Sequence, residues 1–353
     1  MSVRAISAAD AVAHLDQFDT LIDARSPAEY AEDRLPGALN WPVLDDDERR
    51  AVGTEYKQVS ALEARKRGAA LVARNIAEHI ETRVLDKPKN WRPLVYCWRG
   101  GQRSGTLAWF LGQIGFRTQV VEGGYKAFRH VVMAQLQDLP GQLDLRVVCG
   151  KTGSGKTRLL QALRGAGAQV LDLEALACHR GSVLGSLPGH PQPSQKAFDT
   201  AVWNELRRFD AARPVFVESE SKKIGRLQVP ETLIERMRST SRCVHVEMPD
   251  EARLQLLLQD YDFFVQDVEP FCEKLNALVE LRGRQQIARW QADARAGRVA
   301  DVFLELMHKH YDPGYTRSMQ RSFAGFDTAQ QLHLKDGSES SLAAAARDLL
   351  GTR

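Results

Sequence analysis

The sequence lacks long apolar segments. Nothing in its 353 residues approaches the roughly 18 consecutive apolar residues that a membrane-spanning helix needs. Residues 1–10 also lack the apolar core of a signal peptide. These two absences predict a cytoplasmic protein that does not associate with a membrane.

Cysteine is scarce as well. Five cysteines, an odd number with no regular spacing, argue against a disulfide framework, and no Cys-x-x-Cys or Cys/His cluster has the spacing of a zinc site. Four of them lie among apolar or helical residues, where free cysteine usually has a structural role: Cys149, Cys178, Cys243 and Cys272. Cys97 differs from these because of the residues that follow it.

Net charge is nearly absent. The 48 Lys and Arg residues against 45 Asp and Glu residues give +3, which is too small to indicate a nucleic-acid-binding protein, although a local basic face can exist within that balance. A hydrophobic content of 43% is ordinary for a globular protein. The length fits two domains with separate cores better than one.

Strand and helix signals alternate along the chain, which predicts parallel sheets in an α/β fold. The expected strands are residues 20–23, 94–96 and 118–121, and then 145–149, 170–172, 215–218 and 243–246. Residues 126–139 should form a helix that Pro140-Gly141 ends, so the predicted domains are 1–139 and 140–353. Residues 251–310 should be helical, and the acidic run 45–48 a solvated loop.

Cys97 begins a loop suited to an anion, with the sequence Cys97-Trp98-Arg99-Gly100-Gly101-Gln102-Arg103-Ser104. A predicted strand precedes this loop and a predicted helix follows it, and backbone N–H groups at a helix start stabilise an anion. Gly100 and Gly101 let successive amides turn inward, and two arginines add positive charge. We therefore predict Cys97 as the catalytic residue and residues 98–104 as its anion cradle.

Two families have such a loop. The spacing matches cysteine-dependent phosphatases, but those enzymes usually carry His before the Cys, where this chain has Tyr96. The flanking stretches 21–30, 35–40 and 121–125 instead resemble the landmarks of the rhodanese family, in the right order. The resemblance implies a rhodanese-like parallel-sheet domain, in which we expect Asp23 and Arg25 to form a fold-stabilising ion pair.

A complete phosphate-binding loop follows, with the sequence Gly150-Lys151-Thr152-Gly153-Ser154-Gly155-Lys156-Thr157. It follows a predicted strand and opens a predicted helix, the context that makes this motif credible. Its amides can cradle a diphosphate, Lys156 adds a charge, and Thr157 can reach a magnesium ion. Glu218 stands where nucleotide hydrolases carry Asp, so nucleotide hydrolysis is not predicted. The second domain is therefore predicted to be P-loop NTPase-like, with a helical C-terminal region.

The whole set of motifs resembles the bacterial tRNA 2-selenouridine synthases, which join a rhodanese domain to a P-loop domain in this order. The likeness runs from Asp23 to about Tyr315 and includes the two loops and the stretches 52–58, 172–182, 218–221 and 311–313. It implies a selenotransferase and geranyltransferase acting on tRNA with 2-thiouridine at the wobble position. The implied route replaces sulfur with selenium through S-geranyl-2-thiouridine.

The resemblance also implies the substrates selenophosphate and geranyl diphosphate, no tightly bound cofactor, and selenophosphate synthase as a candidate partner. The alternative is a rhodanese-type sulfurtransferase or cysteine phosphatase with a regulatory nucleotide-binding P-loop domain. A third reading is a nucleotide-gated module that carries persulfide to a partner.

Further stretches supply weaker candidates. His179, Arg180 and Glu218 are predicted diphosphate or tRNA contacts. Arginines interleaved with Trp290 are predicted tRNA contacts: Arg282, Arg284 and Arg289, followed by Arg295 and Arg298. Apolar residues at helix-like spacing are predicted to line a prenyl channel beside the phosphate loop: Leu254, Leu257, Leu258, Phe263 and Phe264.

Overall fold

The computed structural model describes residues 3–182, 184–240 and 242–351. Within it the chain divides into two units. The first comprises Met1–Gln135 and Ser194–Asn204, and the second comprises Leu136–Pro193 and Glu205–Arg353. Residues 194–204 thus belong to the first unit although they lie late in the sequence.

The first unit is built on a five-stranded parallel sheet with the spatial order β1-β5-β4-β2-β3. The strands are β1 Arg4–Ile6, β2 Thr20–Asp23, β3 Leu39–Asn40, β4 Pro93–Tyr96 and β5 Gln119–Val121. This confirms the strands predicted at 20–23, 94–96 and 118–121, whereas the short edge strands β1 and β3 were not predicted. The central strand β4 is buried along its whole length, which fixes the position of the residue that follows it.

The first six α-helices of the described chain all begin in the first unit: α1 Ala8–Ala13, α2 Pro27–Glu32, α3 Asp46–Gln58, α4 Ala61–Arg83, α5 Gln102–Ile114 and α6 Gly124–Gln142. The core packs apolar residues of the sheet, such as Ile22 and Val95, against Leu107 and Leu111 of α5. Trp41 and Trp91 stack beside them, with ring centroids 6.2 Å apart.

The acidic run 45–48 is not a loop, so that prediction was wrong. Asp45 is the N-cap of α3, and its carboxylate accepts a hydrogen bond from the Glu48 N–H at 2.7 Å. The Glu48 carboxylate accepts the Asp45 N–H at 3.1 Å, which completes a capping box. Acidic side chains are favourable here because the N-terminal end of a helix carries partial positive charge.

The second unit contains another five-stranded parallel sheet, with the order β12-β11-β6-β8-β7. Its strands are β6 Leu145–Cys149, β7 Gln169–Leu171, β8 Val215–Glu218, β11 Cys243–Glu247 and β12 Gln330–His333. The strands β9 Lys223–Ile224 and β10 Leu227–Gln228 form a separate antiparallel pair. The four strands predicted in this half are confirmed, and the edge strand β12 was missed. The phosphate loop follows the central strand β6, at the edge of the sheet where α/β proteins place ligands.

The remaining helices are α7 Lys156–Gly165, α8 Leu173–Ala177, α9 Gln195–Leu206, α10 Glu231–Ser239, α11 Asp250–Asp260, α12 Asp262–Gln266, α13 Val268–Leu275, α14 Val279–Arg282, α15 Arg284–Arg295, α16 Val299–Leu306, α17 Asp312–Ser322 and α18 Glu339–Gly351. A π-helical segment, Met307–Tyr311, joins α16 to α17. The helical character predicted for 251–310 is confirmed. Among the described residues, no helix is both long and apolar enough to cross a membrane.

The described residues of the second unit include two apolar cores. One lies between the sheet and helices α7 and α18, and includes Val148, Leu160 and Leu349. The other is a helical core in which residues of α11 to α16 pack together, among them Leu257, Phe271 and Trp290. The phosphate loop therefore has a sheet core beneath it and a helical core beside it.

Pro140 does not end helix α6, which continues to Gln142, so the predicted break was wrong. Proline has no N–H to donate to the carbonyl four residues earlier, which here belongs to Leu136. The Thr232 hydroxyl donates to that carbonyl at 2.6 Å instead. A tertiary hydrogen bond thus replaces the missing helical one, and the carbonyl is satisfied.

Candidate active site

The first candidate site is the loop between β4 and α5, where the Cys97 side chain is only 3% exposed. Ser104, on the first turn of α5, is buried and donates its hydroxyl to the Cys97 Sγ at 3.1 Å. The structure therefore brings the two ends of the predicted anion cradle together at the sulfur atom.

Close backbone packing gives this loop its shape. Gly100 has φ +66°, and a Cβ there would lie 2.7 Å from the Val121 carbonyl oxygen. A Cβ on Gly124 would collide with the carbonyl oxygen of Cys97. The start of α6 holds the loop in place, because Tyr125 N–H donates to the Cys97 carbonyl at 2.8 Å and Lys126 N–H donates to the Trp98 carbonyl at 3.0 Å. Glycine is required on both sides of this contact.

The two arginines of the loop have different environments. Arg103 pairs with Glu29 at 2.8 Å, and Arg49 pairs with the same carboxylate at 2.8 Å. Burial opposes ionisation of Glu29, but the hydrogen bond and charge of Arg103 outweigh it, and the pKa of Glu29 is lowered. Arg99 is exposed. Much of the Arg103 charge is therefore directed to Glu29, which weakens its predicted role beside the thiol.

Asp23 and Arg25 form the predicted ion pair, with 2.6 Å between the guanidinium and the carboxylate, and this prediction is confirmed. Both side chains are buried. Arg25 also lies over the Tyr125 ring, 4.0 Å from its centroid. Tyr96, the residue that stands where phosphatases carry His, is fully buried and accepts the Leu35 N–H at 3.2 Å. These buried residues therefore stabilise the fold around the Cys97 loop and are not positioned to contact a ligand.

The second candidate site is the phosphate loop between β6 and α7. The Gly150 N–H donates to the Tyr315 hydroxyl at 2.5 Å, and the Lys156 ammonium donates to the Gly150 carbonyl at 2.5 Å. Gly153 has φ +80°, and a Cβ there would lie 2.9 Å from the Leu257 side chain. Burial lowers the pKa of Lys156. The loop is thus closely packed, with its lysine turned back over it.

Ser154 provides an unused donor inside the loop. Its hydroxyl is buried and has no hydrogen-bond partner in the described part of the chain, and the residue is among those that line the cavity at the loop. Buried polar atoms normally have a partner. A hydroxyl at this position of a predicted phosphate cradle is suited to donate to a phosphate oxygen.

Arg253 of α11, which the sequence analysis missed, supports the loop from the other side. It is 2% exposed and donates to the Thr152 carbonyl at 2.8 and 3.1 Å. It also pairs with Asp312 at 2.6 Å and with Asp250 at 2.8 Å. The resembling stretch 311–313 contains Asp312, but its partner 59 residues away could be found only in three dimensions.

Three glutamates lie next to the phosphate loop. The Glu218 carboxylate is buried, accepts the Glu174 N–H at 2.8 Å, and has one oxygen without a partner among the described residues. Burial raises the pKa of Glu218 well above its ordinary value. Burial, with the neighbouring Glu174 charge, raises the pKa of Glu220 to about 8. Glu218 therefore stabilises the start of α8 through its hydrogen bond from the Glu174 N–H, whereas Glu174 and Glu220 line the cavity.

Thr157 donates its hydroxyl to Glu174 at 3.3 Å. In the described residues, no group of three or more His, Cys, Asp or Glu side chains is arranged to hold a metal ion. The magnesium contact of Thr157 stays a prediction.

A cavity of about 490 Å³ opens at the phosphate loop within the second unit. Residues 152–158 and the two glutamates form its polar end. Apolar and aromatic side chains form an apolar wall in another part of the lining: Leu257, Tyr261, Tyr311, Tyr315, Met319 and Phe323. Further polar and charged residues, among them Arg180, Arg238 and Asp260, also line the cavity, so its lining is mixed.

Most of the residues predicted to line a prenyl channel pack in the helical core and do not line this cavity. Of the five apolar residues predicted, Leu257 alone is among those that line this cavity. Phe264 is 1% exposed in the helical core, and Leu254, Leu258 and Phe263 pack against that core. The apolar stripe of α11 and α12 is used for helix packing, and α17 supplies much of the cavity wall instead.

The side chains of the adjacent residues His179 and Arg180 have different surroundings. Arg180 lines the cavity, where it lies 5.2 Å from the Tyr261 ring centroid and 3.5 Å from Asp260. His179 is 7% exposed and lies outside the cavity lining. Burial, with the nearby Lys274 charge, lowers the pKa of His179. The geometry therefore favours Arg180 over His179 as the residue that contacts a ligand.

The predicted arginine face is largely neutralised by carboxylates. Arg289 pairs with Glu305, Arg295 with Glu269 and Arg298 with Asp293. Arg282 lies 3.2 Å from His310, and Arg284 is exposed. Trp290 is fully buried and donates to Glu305, so it cannot stack on a base. Contact of these arginines with tRNA stays a prediction.

Comparison with known proteins places both loops in named domains. A family model of the rhodanese-like domain matches residues 7–130, and a family model of the tRNA 2-selenouridine synthase AAA domain matches residues 143–286. A tRNA 2-selenouridine synthase of Bdellovibrio bacteriovorus is 31% identical over 349 residues, covering 85% of this chain and 89% of that protein. The chain belongs to the tRNA 2-selenouridine synthase family.

Other tRNA 2-selenouridine synthases align over a shorter stretch. The protein of Alcanivorax borkumensis is 38% identical over 247 residues, and that of Nitrosomonas europaea is 36% identical over 245 residues. Each alignment covers 68% of this chain, but 66% and 63%, respectively, of those relatives. The aligned part thus spans less than two thirds of these two proteins.

The family comparison confirms the predicted fold class. The first parallel sheet carries the rhodanese-like domain, and the second carries the AAA domain with its phosphate loop. The Cys97 loop lies in the former and the Gly150–Thr157 loop in the latter. Each domain of this tRNA 2-selenouridine synthase family member thus contains one candidate site.

Proposed function

We propose that this chain is an enzyme that replaces the sulfur of 2-thiouridine at the tRNA wobble position with selenium. Selenophosphate supplies the selenium, and S-geranyl-2-thiouridine, made from geranyl diphosphate, is the intermediate. Support comes from the family of the chain and from the two loops, one suited to a reactive thiol and the other to a diphosphate.

The observation that carries this proposal is the cavity at the phosphate loop, whose lining includes both the loop and an apolar wall. A nucleoside diphosphate would present a polar sugar and a base beyond its phosphates, whereas geranyl diphosphate presents a ten-carbon chain. The apolar wall formed by residues such as Leu257, Tyr315 and Met319 matches the hydrocarbon. The polar end, with Lys156 and Ser154, matches the diphosphate.

In the first step, the thiocarbonyl sulfur attacks the allylic carbon of geranyl diphosphate. A carbon–sulfur bond forms, the carbon–oxygen bond breaks, and its electron pair leaves with the diphosphate. The Lys156 ammonium and the loop amides stabilise the negative charge that develops on the leaving oxygen. The Ser154 hydroxyl gains a partner in the same step.

In the second step, selenium replaces the geranylated sulfur. Carbon 2 of an S-alkyl isothiourea is more electrophilic than that of a thioamide, so the selenium of selenophosphate adds there and expels geranyl thiolate, and both N3 and the thiolate take up a proton. Water then cleaves the phosphorus–selenium bond, which releases phosphate and leaves 2-selenouridine. We assign delivery of selenium to the Cys97 loop, where Ser104 can donate a hydrogen bond to a chalcogen anion. Selenophosphate synthase is the proposed partner that supplies selenophosphate, and the scheme uses no tightly bound cofactor.

Reconstitution tests the proposal. The purified full chain is incubated with 2-thiouridine tRNA, geranyl diphosphate and selenophosphate, and the tRNA nucleosides are analysed by mass spectrometry. We expect S-geranyl-2-thiouridine without selenophosphate and 2-selenouridine with it. Lys156→Ala should lose about 1.5–3 kcal/mol of diphosphate binding and fail to geranylate, yet still convert pre-geranylated tRNA. Normal geranylation by this variant, or ATP hydrolysis in step with product formation, would refute the assignment of the loop.

A further inference from the structure

Alkylation of 2-thiouridine on sulfur requires the loss of the N3 proton. The substrate carries hydrogen on N3 next to the C2=S group, whereas the neutral S-alkylated product has a C2=N3 double bond and no hydrogen there. The N3 proton must therefore leave as the carbon–sulfur bond forms. A base close to the phosphate loop would accept it without a charged isothiouronium accumulating.

The described part of the cavity offers Glu220 for this task. Glu220 follows β8, is 9% exposed and lines the same cavity as Lys156 and Ser154. A Cβ built on Gly181 would lie 2.8 Å from Glu220 Oε1 and 2.6 Å from Glu174 Oε1, so the two carboxyl groups lie side by side. The cavity points to a ligand independently of these acids, since residues 152–157 of the phosphate loop line it and the buried Ser154 hydroxyl in that loop has no partner among the described residues.

The two carboxyl groups are not equivalent. Glu174 accepts the Thr157 hydroxyl at 3.3 Å and shares a hydrogen bond with Glu220. Glu220 faces Glu174 of α8 and Lys156 of α7, and the buried Glu218 precedes it by two residues. Only the ionised form of Glu220 can accept a proton, and because burial and the Glu174 charge raise its pKa to about 8, base catalysis by Glu220 should increase as pH rises towards that value.

We propose that Glu220 is a catalytic base of the alkylation step and accepts the N3 proton of 2-thiouridine as the sulfur attacks geranyl diphosphate. This assignment rests on the function proposed above. The N3–H electron pair becomes the C2=N3 bond, the C2=S electrons form the new carbon–sulfur bond, and diphosphate leaves with the carbon–oxygen pair. The proton resides on the Glu220 carboxyl group and passes to solvent after product release.

The test compares Glu220→Gln with the parent chain in separate half reactions. Geranylation of 2-thiouridine tRNA should fall about 10²-fold or more, the usual contribution of a general base. The thermal shift produced by geranyl diphosphate and the selenation of pre-geranylated tRNA should both be retained. Glu220→Ala should regain geranylation when formate is added, because a small carboxylate can take the place of the missing base.

Glu273→Gln is the matched control, since Glu273 is exposed on α13 and lies outside the cavity lining. This variant should geranylate like the parent. Geranylation by Glu220→Gln within threefold of the parent would overturn the base assignment and leave the proposed function intact. Loss of the geranyl diphosphate thermal shift in that variant would also overturn it, by showing a structural role. Failure of the parent chain to geranylate at all would instead refute the proposed function.

Discussion

At the residue scale, substitution of Cys97 should separate the two proposed half reactions, because it should affect selenation and not geranylation. Cys97 is buried beside Ser104 in the rhodanese-like domain, whereas the proposed diphosphate contacts lie in the AAA domain. We therefore expect Cys97→Ser to form S-geranyl-2-thiouridine at the parent rate and to lose 2-selenouridine by about 10²-fold or more, since serine removes the sulfur atom from the loop to which we assign selenium delivery. Nucleoside mass analysis measures both products.

Cys272→Ser is a suitable control because Cys272 lies in the helical core and is remote in sequence from both loops. It should form both products. If folded Cys97→Ser loses geranylation as well, Cys97 is not confined to the selenium step and that part of the account is wrong.

Glu220 also gives a pH-dependent contribution to stability. Burial, with the neighbouring Glu174 charge, raises its pKa to about 8 in the folded state, whereas an unfolded chain has a glutamate pKa of about 4.3. Between these values the folded state keeps a proton that the unfolded state has lost, so this group's contribution to stability falls as pH rises through that window. Lys156 limits the effect, and Glu218 acts in the same direction.

Glu220→Gln removes the titrating group and keeps the shape of the side chain. Relative to the parent, this variant should therefore gain melting temperature at pH 8.5 compared with pH 5.5. Thermal denaturation at the two pH values measures the difference. A difference that is the same at both values would contradict the raised pKa.

At the scale of elements, Arg253 ties α11 and α17 to the phosphate loop through Thr152, Asp250 and Asp312. Arg253→Ala should destabilise the chain by about 3 kcal/mol, because it leaves the Asp312 carboxylate without its buried partner. It should also weaken geranyl diphosphate binding, since the Thr152 carbonyl loses both of its hydrogen bonds from this side chain. Urea denaturation and a ligand thermal shift report the two effects.

Arg298→Ala removes an arginine that is 54% exposed and paired with Asp293, so it should cost no more than about 1 kcal/mol. Equal stability losses in Arg253→Ala and Arg298→Ala would contradict the supporting role of Arg253. A stability loss without weaker diphosphate binding would show that Arg253 serves the fold alone.

Elements with strong local signals could be predicted from the sequence. The buried strands β2, β4, β6 and β8 were found because continuous apolar runs ended in recognisable loops, and both candidate loops follow such strands. Elements that depend on distant partners could not be found. Helix α6 passes Pro140 because Thr232 satisfies a carbonyl, and the short edge strand β12 is defined by its pairing with β11.

The residues that line the cavity could likewise be predicted only in part. Its loop was predicted from a motif, but the wall depends on which side of each helix faces the core. The stripe on α11 and α12 has the spacing of an apolar channel, yet most of it packs into the helical core. Tyr315, Met319 and Phe323 line the cavity because of how α17 packs, for which a single sequence carries no local signal.

At the scale of the whole molecule, the proposed function requires the AAA domain to bind geranyl diphosphate more tightly than a diphosphate with a shorter prenyl chain. Dimethylallyl diphosphate lacks five carbons of geranyl diphosphate, and each buried methylene contributes about 0.8 kcal/mol. It should therefore bind up to about 4 kcal/mol more weakly. Titration of the chain with each diphosphate measures the difference.

Phe323→Ala trims the apolar wall and leaves the phosphate loop unchanged. It should weaken geranyl diphosphate binding and leave inorganic diphosphate binding as it was. Equal affinity of the parent chain for geranyl and dimethylallyl diphosphate would show that the apolar wall does not contribute to binding.

The central claim is that this chain converts 2-thiouridine to 2-selenouridine through a geranylated intermediate, and tRNA nucleosides report on it most directly. Mass analysis compares tRNA from cells with the gene, without it, and with it restored as the Cys97→Ser variant. We predict 2-selenouridine with the gene, unmodified 2-thiouridine without it, and accumulation of S-geranyl-2-thiouridine with the variant. Unchanged 2-selenouridine in cells without the gene, or absence of the geranylated nucleoside with a folded variant, would contradict the account.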